Sequence, residues 1–244
     1  MTPNPAVSVV IPVRNEAGNV ASLVAEIETA LASCGPFEIV YVNDGSTDST
    51  SDELRRLAET RPHLREIRHA TSCGQSAAVR TGVRAALAPV ILTLDGDGQN
   101  DPAFMPAFLS ALSQAGGNCG LVQGQRVGRK DTGFKKFQSR IANKVRAAVL
   151  NDGTRDTGCG FKCFPREAYL ALPYFDALHR FMPALVRREG LGIAYVDVVD
   201  RPRFSGVSNY GFFDRLWVGI VDLAGVRWLI KRRRNVPVVT EISR

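Results

Sequence analysis

Residues 89–102 read Pro89-Val90-Ile91-Leu92-Thr93-Leu94-Asp95-Gly96-Asp97-Gly98-Gln99-Asn100-Asp101-Pro102. A short apolar, β-branched run stops directly on two carboxylates separated by one glycine. Such a run, bounded by turn residues, suits a buried strand, so the Asp-Gly-Asp group sits at its carboxyl end. Two earlier runs end in the same way. Val7-Ser8-Val9-Val10-Ile11-Pro12 leads into Val13-Arg14-Asn15-Glu16, and Phe37-Glu38-Ile39-Val40-Tyr41-Val42 leads into Asn43-Asp44-Gly45-Ser46. Between them, Val20, Leu23, Val24, Ile27 and Leu31 repeat at helical spacing over 17–34. Thr47-Asp48-Ser49-Thr50 offers N-cap residues for a helix through about Glu59. This β-α-β-α order predicts an α/β fold, with a mainly parallel central sheet and helices on both faces. Ligands of such sheets bind beyond the carboxyl ends of the strands, where these polar groups gather.

The same reading continues along the chain. It predicts a strand over Leu64–His69, a helix over 75–87, a helix over 102–115 and a strand over 119–125. A basic helix follows over 132–150, then extended chain at 158–164, helices at 165–172 and 178–189, and a last strand at 192–199. Residues 200–210 read as a polar loop, and 211–231 as an apolar helix ending in Lys231-Arg232-Arg233-Arg234. No Pro/Gly/Ser-rich linker divides the chain. It therefore reads as one domain, 1–210, with a C-terminal appendage, 211–244.

Composition narrows the function classes. At 244 residues, with 45% hydrophobic and 23% charged residues, the chain is neither disordered, collagen-like nor a multi-pass membrane protein. The five cysteines (34, 73, 119, 159 and 163) form no Cys-x-x-Cys pair, which argues against a disulfide scaffold or a zinc knuckle. Met1-Thr2-Pro3-Asn4-Pro5 lacks the basic region and apolar stretch of a signal peptide, so a reduced, cytoplasmic compartment is expected. The net charge of +7 is unevenly placed. Residues 1–125 carry 8 Lys/Arg against 13 Asp/Glu, whereas 126–166 carry 11 against 3 and 201–244 carry 9 against 3. Anionic partners should therefore meet the second half.

Two carboxylates one residue apart at a strand end can share a divalent cation, and Gln99 could add a neutral oxygen. Hard oxygen ligands favour Mg²⁺ or Mn²⁺, which bridges to phosphate oxygens. The plainer alternative is a solvated turn. Asp44 could accept hydrogen bonds from a base N–H or a ribose hydroxyl, or make a turn while Thr47 or Asp48 caps the next helix. The P-loop, Gly-x-Gly-x-x-Gly and Gly-x-Ser-x-Gly patterns are absent, which disfavours P-loop, dinucleotide and common hydrolase sites. His63 and His69 read as surface or strand residues. Most cations of the basic block (Arg129, Lys130, Lys135, Lys136 and Arg146) read as a solvated face.

Taken in order, Val9-Val10-Ile11-Pro12-Val13-Arg14-Asn15-Glu16, Asn43-Asp44-Gly45-Ser46-Thr47-Asp48 and Asp95-Gly96-Asp97-Gly98-Gln99-Asn100-Asp101-Pro102 resemble the signature of the GT-A fold, family 2 inverting glycosyltransferases. The polyprenyl-phosphate branch, typified by dolichol-phosphate mannosyltransferase, is the most similar. Gly124-Gln125-Arg126, Asp156-Thr157-Gly158-Cys159-Gly160-Phe161-Lys162, His179-Arg180-Phe181-Met182-Pro183 and Arg203-Phe204-Ser205-Gly206-Val207-Ser208 extend the likeness over roughly residues 6–210. The resemblance implies that Pro12, Arg14, Glu16 and Asp44 border the nucleotide. It implies that Asp95, Asp97 and Gln99 hold the metal, and that Arg126 and Arg140 grip the acceptor phosphate. Arg203 and Ser208, before the final helix, would meet the donor.

The implied reaction moves a sugar from a UDP- or GDP-sugar to a polyprenyl phosphate. A lipid phosphate is already anionic, so it needs cationic clamps rather than a general base, and Arg suits the clamp. A hydroxyl acceptor on a glycan or lipid would need a base, for which Asp156 is the candidate. Asp156 could equally orient an Arg or touch the sugar. A non-catalytic nucleotide-sugar-binding membrane protein is the remaining alternative. Nucleic acid is disfavoured, because the first half lacks aromatic platforms in a basic groove. Four charges within 212–230 argue against a membrane-spanning segment, while two Trp and the terminal basic run fit an amphipathic helix on the inner face of the cell membrane. Packing on the domain, or self-association into a homo-oligomer, would use the same helix.

Overall fold

The computed structural model describes residues 4–127, 146, 149–150, 153–154, 156–202, 212–233 and 235. Its strands are β1 (Val7–Val13), β2 (Phe37–Asn43), β3 (Leu64–Arg68), β4 (Val90–Thr93), β5 (Cys119–Arg126), β6 (Lys162–Pro165) and β7 (Gly192–Val198). Its helices are α1 (Ala17–Leu31), α2 (Thr50–Ala58), α3 (Gln75–Ala85), α4 (Met105–Gln114), α5 (Arg166–Leu170), α6 (Leu178–Arg188) and α7 (Phe212–Arg232). One turn of 3₁₀ helix, Pro102–Phe104, precedes α4.

The seven strands form one sheet in the order β3-β2-β1-β4-β6-β5-β7. All pairs are parallel except those of β6, a four-residue strand that runs antiparallel between β4 and β5. The sheet is thus mainly parallel, as the alternating pattern predicts. The inserted antiparallel strand has no local signature. Its register sets Lys162 beside Thr93 of β4 and Gln123 of β5, directly under the Asp-Gly-Asp turn.

Residue alternation along β1 splits the core into two layers. Val7, Val9, Ile11 and Val13 pack with Val20, Leu23, Val24, Ile27 and Leu31 of α1, Leu54 of α2 and Phe108 of α4. Phe108 stacks on Phe161 with ring centroids 4.3 Å apart. On the other face, Val10 joins Val40, Val42, Ala78, Val79 and Val83, and the layer continues through Leu178, Phe181 and Leu185 of α6. Burial of each such side chain is worth about 1.5–3 kcal/mol, which fixes both helix layers on the sheet.

Helix α7 lies against this second layer. Val226 is buried, Leu223, Leu229 and Ile230 pack beside it, and Arg188 Nε donates to the Leu229 carbonyl at 3.0 Å. Ile220, Val221 and Trp228 remain exposed, Trp228 at 60%. The helix is therefore packed on the domain along one face and apolar on another. Among the described residues, no helix is long and apolar enough to cross a membrane.

Candidate functional site at the carboxyl edge of the sheet

The loops after β1 and β2 are stapled to each other. Asn15 adopts a left-handed conformation (φ 58°), which asparagine tolerates better than most residues. Its N–H donates to Ser46 Oγ at 3.0 Å, and its Oδ1 accepts the Thr47 N–H at 2.8 Å. Thr50 Oγ1 accepts the Glu16 N–H at 3.0 Å, and Asp48 Oδ2 accepts the Ala17 N–H at 3.3 Å. The first turn of α1 is thus capped from the neighbouring loop. Asp48 also accepts from the Thr50 N–H and hydroxyl, so it serves α1 and α2 together. Pro12 and Glu16 are partly buried at this edge, and Arg14 is exposed.

Asp44, at the end of β2, is buried, and its carboxylate is saturated. Oδ1 accepts from His69 Nδ1 and the Cys73 N–H, both at 2.7 Å. Oδ2 accepts from Ser72 Oγ at 2.7 Å and the Gly74 N–H at 2.9 Å. Desolvation pushes the carboxyl up, but the donors of Cys73, His69, Ser72 and Gly74 outweigh it and hold it below the usual carboxylate range. Its four acceptor positions are thereby spent on residues 69–74. Asp44 organises this loop with its carboxylate, rather than leaving lone pairs open toward a base. His69 is not a plain strand or surface residue: it is partly buried, and its Nε2 lies 3.0 Å from Thr81 Oγ1. The sequence signal that could have found it is its place at the end of β3, beside the end of β2. His63, by contrast, pairs with Glu28 and packs edge-on against Phe37.

The Asp-Gly-Asp turn is built differently. A Cβ on Gly96 would overlap Val13 of β1, and one on Gly160 would overlap the Asp95 carboxylate. Gly96 is therefore required by packing against β1, and Gly160 by the close approach of Asp95. Gln75, the first residue of α3, donates from Nε2 to Asp95 Oδ1 at 2.8 Å. Asn100 Oδ1 accepts the Asp95 N–H at 3.0 Å, and Asp97 Oδ1 accepts the Gln99 N–H at 3.1 Å. Burial, then Asp97 and Asp200, push Asp95 up to about 6, against the pull of Lys162 and Arg126. Two crowded, desolvated carboxylates beside an amide side chain fit a hard divalent cation, whose charge would relieve that repulsion.

Arg126, at the end of β5, faces this turn. Its guanidinium grips Asp156 through Nε at 2.5 Å and NH2 at 3.0 Å, and NH1 reaches Asp200 at 3.5 Å. Burial alone would lower the Arg126 pKa, but Asp156 raises it further above its ordinary value. Asp156 therefore orients an arginine, one of the roles open to it in the sequence. Its N–H donates to Gln125 Oε1, and its Oδ1 accepts the Gly158 N–H. Asp200 was not expected. It also accepts from Asn100 Nδ2 at 3.5 Å, tying the end of β7 to the Asp-Gly-Asp turn. Lys162 is buried behind the turn with its ammonium on the Cys159 carbonyl, and burial lowers its pKa.

One further expectation is corrected. Arg146 is no solvated face: it is buried and donates from NH2 to the Thr154 carbonyl at 2.7 Å. His179 packs its Nδ1 on Ser76 Oγ at 2.7 Å, and burial, then Arg180 and Lys162, push its pKa down to about 3. Arg140, Arg203 and Ser208 lie outside the described residues.

Comparison with known proteins agrees with this architecture. Residues 8–172, more than half of the chain, match the family model for glycosyl transferase family 2. The chain is 32% identical to dodecaprenyl-phosphate galacturonate synthase of Rhizobium johnstonii, over 92% of this chain and 67% of that protein. It is 31% identical to undecaprenyl-phosphate 4-deoxy-4-formamido-L-arabinose transferase of Pectobacterium carotovorum, over 84% of this chain and 63% of that protein. The chain thus spans about two thirds of the length of these curated relatives. Glucosyl-3-phosphoglycerate synthase of Mycobacterium tuberculosis, crystallised with Mn²⁺, UDP and glucosyl-3-phosphoglycerate, superposes with a TM-score of 0.70 at 20% identity. That match covers 94% of this chain and 80% of that one. Its complex with Mg²⁺ and UDP gives 0.69 at 18%, over 94% and 79%. At this identity the likeness concerns the fold, which is GT-A.

Proposed function

Because the chain belongs to glycosyl transferase family 2, we propose that it moves a sugar, with inversion, from a UDP- or GDP-sugar to a polyprenyl phosphate. The observation that carries this reading is the Asp95/Asp97 turn facing an arginine that two carboxylates hold in place. Names of the relatives at 31–32% identity support the acceptor class.

In the proposed reaction an oxygen of the lipid phosphate attacks the anomeric carbon. A new C–O bond forms there as the bond to the donor diphosphate breaks, and the nucleoside diphosphate leaves. No proton has to be removed, because the attacking oxygen is already anionic. Asp95, Asp97 and Gln99 would hold a divalent cation, Mg²⁺ or Mn²⁺, which when bound supplies neutralisation of the leaving diphosphate. Arg126 positions the acceptor phosphate, with its fork fixed by Asp156. Arg140 on the acceptor side, with Arg203 and Ser208 on the donor side, completes the assigned set. Pro12, Arg14 and Glu16 border the nucleotide, and Asp44 shapes its pocket through residues 72–74. A hydroxyl acceptor would require Asp156 as base. Both its oxygens are committed to Arg126, which favours the phosphate acceptor.

The exposed face of α7 (Ile220, Val221 and Trp228, with basic Arg227, Lys231 and Arg232) is assigned to the inner, anionic face of the membrane. Co-sedimentation with anionic but not neutral vesicles is the expected outcome.

The test is a screen of nucleotide sugars for nucleotide release with Mn²⁺, with and without undecaprenyl phosphate. Lipid-dependent release is expected. Release that ignores the lipid would mean hydrolysis or a hydroxyl acceptor. Absence of release with every donor, or full activity after Asp97→Ala, would sink the reading.

A further inference from the structure

A second cluster of ligating groups lies on the far side of β1 from the Asp-Gly-Asp turn. Asp44, His69 and Cys73 bring a carboxylate oxygen, an imidazole nitrogen and a thiol sulfur within 4.8 Å of one another. The donor set is softer than the all-oxygen set at Asp95, Asp97 and Gln99. Oxygen, nitrogen and sulfur together suit zinc, and poorly suit magnesium. We propose that Asp44, His69 and Cys73 form a Zn²⁺ site, separate from the cation of the Asp-Gly-Asp turn, whose occupation blocks the nucleotide pocket.

The surroundings are those of a prepared metal ligand set. The second ring nitrogen of His69, Nε2, is 3.0 Å from Thr81 Oγ1, so the imidazole is held at its far end. Asp44 Oδ2 is fixed by Ser72 Oγ and the Gly74 N–H, and Oδ1 by the Cys73 N–H. Such outer partners orient ligands and raise their basicity. Without metal, Nδ1 carries the proton it shares with Asp44 Oδ1 at 2.7 Å, and Nε2 accepts from Thr81. On binding, the proton moves to Nε2 and the Thr81 bond reverses, freeing both the Nδ1 lone pair and the one Asp44 Oδ1 position that His69 had occupied. The Cys73 thiol gives its proton to solvent and leaves the Thr71 carbonyl, where it now donates at 3.4 Å. Cys73 is exposed, so its sulfur can rotate toward the other two ligands. With zinc bonds of about 2.0–2.3 Å, the thiol must close on the pair while His69 Nδ1 and Asp44 Oδ1, now 2.7 Å apart, part by about half an ångström. The fourth coordination position is left to water.

The location gives the site its consequence. The 69–74 loop leads straight into Gln75, which donates to Asp95. A cation pinned between Asp44 and Cys73 would freeze this loop on the nucleoside side of the pocket. The inhibitory consequence rests on the donor-binding reading above, whereas the binding itself does not.

The test uses the full chain with excess Mg²⁺ present. Co²⁺ reports thiolate ligation through its charge-transfer absorption, and Zn²⁺ affinity is read by competition with a chromophoric chelator. The expected result is one tight equivalent with a thiolate band. Cys73→Ser abolishes the band and weakens Zn²⁺ by about tenfold or more, while Cys34→Ser changes neither. No band in the unmodified chain, or equal Zn²⁺ affinity in Cys73→Ser, overturns the site. His69→Gln, checked for folding by circular dichroism, should reproduce the loss of affinity, and unchanged affinity there also overturns it. Zn²⁺ inhibition is then measured against each protein's own zinc-free rate, and Cys73→Ser should need about tenfold more Zn²⁺. Tight binding through Cys73 without inhibition would overturn the blocking role. Failure of every donor to turn over would fall on the transfer reading alone.

Discussion

Two carboxylates stand at the carboxyl ends of neighbouring parts of one sheet and are treated in opposite ways. Asp44, after β2, is surrounded by four donors and held below the usual carboxylate range. Asp95, after β4, has Gln75 on one oxygen and two carboxylates nearby, and is pushed up to about 6. Both are removed from bulk water. The sign of the shift follows from what replaces the water: N–H and O–H donors stabilise an anion, and neighbouring anions do not. Asp44 therefore acts as a fixed element of construction. Asp95 is left with unspent electrostatic demand, which a cation would satisfy.

Substitutions can break this comparison or sharpen it. The largest effect is expected at the demanding end. Asp97→Ala should lower nucleotide release at least about a thousandfold while the fold survives, as circular dichroism would report. Asp44→Ala should cost about 3 kcal/mol of stability in urea unfolding, because it strands the N–H groups of Cys73 and Gly74 and the His69 ring.

Asp95→Asn should do the reverse of Asp44→Ala and stabilise the metal-free chain by about 1–3 kcal/mol at pH 7, at the expense of activity. The sign follows from linkage. The folded state holds the Asp95 proton more tightly than the unfolded chain, so this group's contribution falls as pH rises from about 4 to about 6. Asp44 contributes in the other direction: its stabilisation is present above the unfolded carboxylate pKa and is lost as pH falls through the lowered folded value. Urea midpoints measured against pH for the two variants should therefore diverge in opposite senses. Parallel curves would end the comparison.

The smallest effect is expected at Asp156, a third carboxylate spent on a cation. Asp156→Asn should raise the acceptor KM about tenfold with a lesser change in kcat, because the Arg126 fork loosens. A shift of the pH–rate profile instead would mark Asp156 as a base.

The first four strands were legible because each is a local event. An apolar run meets polar residues, and the helices between carry their burial face at 3.6-residue spacing, as Val20, Leu23, Val24, Ile27 and Leu31 do. The Asp95/Asp97 pair was legible for the same reason. His69, Asp200 and the exchanged caps between Asn15 and Thr47 were not, since their partners lie 25, 74 and 32 residues away. Arg146 was misread because a buried arginine and a solvated one look alike in a basic run.

By itself the sequence determined an α/β chain of the family 2 type, the carboxyl edge that bears its polar groups, and the identity of the paired carboxylates. The α/β order and its polar edge follow from periodicity and from residue types adjacent in the chain, and the family from the resemblance of its motifs. Only the tertiary structure decided that β6 enters antiparallel between β4 and β5, placing Lys162 and Gly160 behind Asp95. It alone decided that Asp44 is saturated and Asp95 is not. Desolvation and hydrogen-bond supply are set by whichever segments converge on a carboxylate, and that convergence is a property of the folded chain.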